Sequence, residues 1–217
     1  MEGLAVPMTI SDYLSHQESV LVRAFNDPAH YPVGISHPDK FPSFLQREHE
    51  IAFDPRVRNA RAFTRKLPDG GVEYWTHVAY GGYRKAFRQF LEKEHGVPSS
   101  EMTCSWQADH LLSRAFARKF GVDYVRMCLL AKEQNQAYGR KFERNMVSIR
   151  QDSRSIFLLD YLCVMKALGI AIPRNREDYE ARKSAIAQAL SAKGVRFPDA
   201  RGPEFELDGY FDWWEVL

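Results

Sequence analysis

The sequence predicts an α+β fold, a strand–strand–helix core with an N-terminal hairpin and helical flanks, and three observations lead there. Residues 60–67 and 72–80 alternate on either side of Pro68-Asp69-Gly70-Gly71, the pattern of a hairpin. Apolar spacing of helical period recurs in several segments bounded by capping residues, glycine or proline. Between 102 and 147, two strand-like runs precede a single helix.

Each element follows from local chemistry. Thr9 or Ser11 caps a helix that runs through Phe25. Four prolines between Asp27 and Phe44 make that stretch irregular, and a short helix is expected from Ser43 to Ile51. After the hairpin, Tyr83 to Glu94 reads as an amphipathic helix stopped by Gly96 and Pro98. A short strand from Met102 to Trp106, the segment 107–121, and a second strand from Val122 to Leu130 come next. A helix from Lys132 to Val147, an apolar helix from Arg154 to Leu168 and a helix from Glu177 to Ala192 capped by Asn175 complete the body. The tail is expected to dock through Tyr210, Phe211, Trp213 and Trp214.

The bulk properties set limits. A chain of 217 residues with 45% hydrophobic and 27% charged residues buries a core rather than staying disordered. A single domain spanning 1–217 is expected, with its core at 102–147. No apolar run reaches the roughly 20 residues that cross a bilayer; the stretch 156–172 is interrupted by Asp160 and Lys166. The first residues lack a basic stretch followed by an apolar one, so the expectation is a cytoplasmic protein or one exported without a cleavable signal. Cys104, Cys128 and Cys163 form no CxxC pair and read as buried small hydrophobes.

Charge is unevenly spread. Residues 110–150 hold nine Lys or Arg against three Asp or Glu, whereas the whole chain carries only +2. Such a concentration suits a polyanion, although a solvated helix face gives the same composition. Inside this basic segment His110 ends a strand, and Asn135 and Glu143 follow on one helix eight residues apart, hence on one face. A neutral imidazole is a base near neutral pH. Amide and carboxylate oxygens suit Mg²⁺, which keeps several waters and needs few protein ligands. Arg114, Arg118, Lys119, Arg140, Lys141 and Arg144 surround these positions and can hold phosphates. The residue types fit phosphodiester hydrolysis.

On these residues the segment resembles the ββα-metal nucleases, the superfamily of HNH and DNA/RNA non-specific endonucleases. Asp109-His110 is similar to the acidic-His pair that ends the first strand in many members. The stretch from Asn135 to Glu143 follows the Asn-to-Glu helix pattern of the non-specific endonucleases. The resemblance covers about 40 residues. It implies His110 as general base, Asn135 as principal metal ligand, and Glu143 as a direct or water-mediated ligand, with Asp109 as a further candidate ligand. It also implies Mg²⁺ or a similar divalent cation, a nucleic-acid substrate and, by association, a toxin role with an inhibitor or immunity protein as partner. Two departures stand out: Gln107-Ala108-Asp109-His110 lacks the Arg and Gly of the fuller motif, and no histidine follows His110, which disfavours zinc.

Two rival readings use the same residues. A non-catalytic nucleic-acid-binding module would use the basic helix alone. A helical protein–protein adaptor would use the acidic aromatic tail and the proline-rich N-terminal third. The aromatic strand at Tyr74, Trp75, His77 and Tyr80 reads as core rather than as a base-stacking surface, and His16 with Glu18 as a surface pair.

Overall fold

The computed structural model describes residues 8–27, 31–41, 50–67, 70–102, 105–141 and 155–211, apart from the side chains of 140, 141 and 210. The chain opens with helix α1 (Ile10–Asn26), whose N-cap Thr9 and Asp12 form a reciprocal capping box. Strands β1 (Pro32–Ile35) and β2 (Glu50–Phe53) precede the hairpin of β3 (Ala62–Lys66) and β4 (Val72–His77). Helix α2 (Tyr83–His95) ends on Gly96 in the left-handed conformation. Strand β5 (Trp106–His110), helix α3 (Arg114–Lys119), strand β6 (Tyr124–Ala131) and helix α4 (Lys132–Lys141) follow directly. Strand β7 (Ile156–Leu158) and helices α5 (Tyr161–Ala167), α6 (Arg176–Ala192) and α7 (Pro203–Phe211) complete the order.

The strands make one mixed-order antiparallel sheet, β2-β3-β4-β6-β1-β7, with β5 paired to β6 beyond the reach of β4 and β1. Strand β6 is central and buried almost throughout, which is why it reads as a continuous apolar run rather than an alternating one. Two main cores form on opposite sides of β5 and β6. One holds Cys128, Leu130, Tyr138, Leu162, Cys163 and the faces of α6 and α7. The other holds Ala108, Met127 and Leu129 against Tyr13 and the apolar face of α2. A side-chain amide completes the sheet edge: Gln17 of α1 donates to the Leu129 carbonyl at 3.0 Å and accepts from its N–H at 2.7 Å. It acts there as a neighbouring strand would.

Four expectations change. The strand placed at 102–106 runs instead from Trp106 to His110, because its pairing partner is the far half of β6. The stretch 154–168 is not one helix: Ile156–Leu158 pairs with β1, and Asp160 then caps a shorter helix through its bond from the Cys163 N–H. The proline-rich region contains a strand, with Pro32 at its first position, where a missing N–H is tolerated. Glu50 and Ile51 belong to β2, not to a helix, while 43–49 lie outside the described residues. Phe211 does dock, fully buried on Tyr179; Trp213 and Trp214 lie outside the described residues. Among the described residues no helix is long and apolar enough to cross a membrane.

Candidate functional site

The basic segment folds as strand, short helix, strand, helix. β5 and β6 pair antiparallel with Trp106 opposite Ala131 and His110 opposite Met127. Because α4 starts at the residue after Ala131, it runs back along the pair toward the end of β5. Its orientation is pinned by Gln134 and Tyr138, which both donate to the Ile170 carbonyl, at 2.9 and 2.8 Å.

Side chains alternate along β5, and the alternation sorts the predicted site. Gln107 and Asp109 face α4 and α5, where Asn135 donates from Nδ2 to Gln107 Oε1 at 3.0 Å. Ala108 and His110 face α2, where the His110 ring lies 4.6 Å from the Tyr83 ring. The imidazole and Asn135 therefore stand on opposite faces of one strand and do not share a coordination shell. Asp109 links the two faces at the strand end: its Oδ1 is 3.9 Å from His110 Nδ1, and its Oδ2 is 3.7 Å from Lys166 Nζ. Lys166, buried on α5, also donates to the His110 carbonyl at 3.0 Å.

The His110 ring is 1% exposed. Thr76 Oγ1 lies 2.8 Å from Nε2 and 3.2 Å from Met127 Sδ. Its one hydrogen serves either the ring or the thioether, so the hydroxyl suits both neutral tautomers of the imidazole. Nδ1 is a buried nitrogen without a close hydrogen bond, and Asp109 Oδ1 faces it at 3.9 Å. Burial holds the His110 pKa below the ordinary histidine value, against the opposing pull of Asp109. Burial also pushes the Asp109 carboxyl up, but Lys166 and His110 outweigh it and leave the group well below the carboxylate range.

The basic residues divide. Arg114 stacks its guanidinium 4.9 Å over the Tyr83 ring, beside His110, and Arg84 sits 5.4 Å from the same ring. Arg118 instead spends a guanidinium nitrogen on the Val78 carbonyl at 2.9 Å. Lys119 is half-buried in the last turn of α3 and has a partner of its own. Arg140 and Lys141 belong to α4, with side chains outside the described residues; Glu143, Arg144 and Asn145 lie wholly outside them. Tyr74 and Trp75 are core, as expected.

Thr76, Tyr83, Arg84, Gln107 and Lys166 were not singled out by the sequence. Lys166 carried a usable signal, a lone ammonium inside an apolar run, since such a charge is buried only when it has a partner. Thr76 carried none, because one hydroxyl in a strand is commonplace. Among the described residues no group of three or more His, Cys, Asp or Glu is placed to hold a metal ion. The oxygen donors that remain for a hard cation are the Asp109 carboxylate and Asn135 Oδ1, with Lys166 already balancing part of the Asp109 charge. Comparison with known proteins found no matching family model, no matching curated protein and no matching solved structure.

Proposed function

We propose that the protein is a metal-dependent endonuclease that hydrolyses phosphodiester bonds of DNA or RNA, with β5, β6 and α4 as a ββα-metal core. The observation that carries this reading is the His110 ring: kept neutral by burial, bonded to Thr76, and set with Nδ1 beside the Asp109 carboxylate. That is the state a general base needs at neutral pH. Its support is the order of the unit, with the acidic-His pair at the end of the first strand and Asn135 on the helix that returns across it.

A divalent cation held by Asp109, Asn135 and Glu143 would neutralise charge on the scissile phosphate. The chain's own residues do the rest. His110 takes a proton from the attacking water, and the P–O bond to the leaving oxygen breaks on the opposite side of phosphorus. Asp109 lies next to Nδ1 and favours the imidazolium that results. Arg114 and Arg84, held on the Tyr83 ring, bind flanking phosphates. Since Asn135 and His110 occupy opposite faces, Asp109 is the group through which the two halves of the site act together.

Purified protein with Mg²⁺ is expected to degrade plasmid DNA or RNA, and His110→Ala is expected to abolish cleavage. Cleavage that survives both this substitution and EDTA would refute the mechanism. Salt-sensitive binding without cleavage would assign the basic segment to a binding module instead.

A further inference from the structure

A second buried polar cluster lies along β3, β4 and β6. Arg65 and Glu73 are cross-strand partners in the hairpin, and both are almost completely buried. Arg65 donates to Glu73 Oε2 at 3.2 Å and to the Tyr31 hydroxyl at 3.1 Å, while Trp75 Nε1 donates to the same Oε2 at 3.1 Å. A second guanidinium, that of Arg126 on β6, stands 2.9 Å from Glu73 Oε1. Two buried cations therefore share one carboxylate, leaving an excess positive charge in the interior. The Arg126 contact is also poorly aligned: its Nη1 and Glu73 Oε1 are both buried without a hydrogen bond although the charges touch, and Arg65 Nε lacks one as well. An incompletely satisfied buried guanidinium is costly and calls for a further acceptor.

Arg126 borders a cavity of about 20 Å³ whose wall also includes Tyr13, His16, Gln17, Glu73 and His95. His95 Nε2 is a second buried nitrogen there without a hydrogen-bond partner. The His95 ring packs edge-on against Tyr13 at 4.9 Å and lies 5.8 Å from His16. His16 is thus turned toward α2 rather than toward Glu18, which pairs with Lys193. Burial, and then the neighbouring His16, push the His95 pKa down to about 4, so the ring is neutral at physiological pH and can present an N–H. Tyr13 is close enough to Arg126 and Glu73 to feel both charges. The cavity has room for one body the size of a water molecule. A water there would accept from these donors but leave the excess charge uncancelled.

We propose that this cavity is a binding site for a single monatomic anion of the halide class, held by Arg126, His95 and Tyr13. Such an ion completes the acceptors that Arg126 and His95 lack and cancels the unpaired charge of the Arg65–Glu73–Arg126 group. It also ties α1 and α2 to the sheet, since the site takes residues from both helices and from β4 and β6. The site is independent of the nuclease reading.

Thermal unfolding at constant ionic strength tests it, with sodium chloride or bromide set against sodium gluconate, whose anion is too large for the cavity. The midpoint of the wild-type chain is expected to rise by about 2–4 °C in the halides. Arg126→Met is expected to lose that increment, and Tyr13→Phe, which keeps the buried charges intact, to reduce it if the first variant does not fold. Because the anion favours a charged imidazole, His95 titrates at higher pH in chloride than in gluconate when followed by NMR. Anomalous scattering from bromide-soaked crystals locates the ion directly. Coincident midpoints in halide and gluconate, or a water alone in the cavity, would overturn the proposal.

Discussion

Two buried polar clusters occupy the same sheet, and they differ in charge and in place. Arg65, Glu73 and Arg126 set two guanidiniums on one carboxylate, with Arg65 Nε, Arg126 Nη1 and Glu73 Oε1 each buried without an aligned hydrogen bond. Asp109, His110 and Thr76 set one neutral imidazole between a hydroxyl and a carboxylate. The first lies between strands whose register locks it in place, under the rings of Tyr31 and Phe41, which cover Arg65 at 4.6 and 4.5 Å. The second lies at a strand end, where the chain leaves the sheet and a side chain can reach around the edge. Position in the sheet therefore separates a group suited to holding structure from one suited to moving a proton.

The comparison can be broken most severely at Glu73. Glu73→Leu leaves two guanidiniums buried without their carboxylate and is expected to cost about 3–5 kcal/mol, seen as a large fall in the urea midpoint. A loss below about 1 kcal/mol would mean that the pairing contributes little beyond what an exposed ion pair does. Lys166→Met is the matching test in the other cluster. It removes a donor from the His110 carbonyl and a cation from Asp109, with an expected cost of about 1–3 kcal/mol. Its signature is acid sensitivity. Asp109 is held below its unfolded value, so its stabilisation is present above roughly pH 4 and is lost as pH falls through the native pKa. Without Lys166 the native pKa lies higher, so the loss is smaller and ends at higher pH.

A smaller effect separates the clusters by titration. His95 and His110 both have lowered pKa values in the folded chain, by burial first in each case. The unfolded chain takes up these protons first, near pH 6.5. Stability is therefore complete above that value and falls as pH drops below it, ceasing to fall for His95 near its native value of about 4. His110→Gln is expected to flatten part of this slope without touching the His95 portion, as read from unfolding free energy against pH. The smallest expected effect is at Gln17→Ala. It exposes the Leu129 backbone pair to solvent exchange, costs about 1–2 kcal/mol, and speeds amide exchange at Leu129 selectively.

The sequence made the secondary structure legible where periodicity and caps agreed. The hairpin, α1, α2 and α6 follow from alternation, from the Thr9 and Asn175 caps and from the Gly96 stop. It misled where one apolar run contained two elements, since β7 and α5 are divided only by the Asp160 cap. For the site, the order of Asp109, His110 and Asn135 along the strand and helix was readable, but their faces were not. An offset of one residue in β5 turns a side chain to the opposite core, and the strand lies several residues later than its composition implied. Thr76 and Tyr83 come from a different part of the chain, and only tertiary packing brings them to His110. Glu143, the residue that would complete the metal ligands, lies outside the described residues.

The central claim is that His110 stands as a neutral base, and nitrogen NMR of the imidazole near neutral pH tests it most directly. The account predicts one protonated and one unprotonated ring nitrogen, and a Thr76→Val variant that loses cleavage activity. An imidazolium at neutral pH would contradict it.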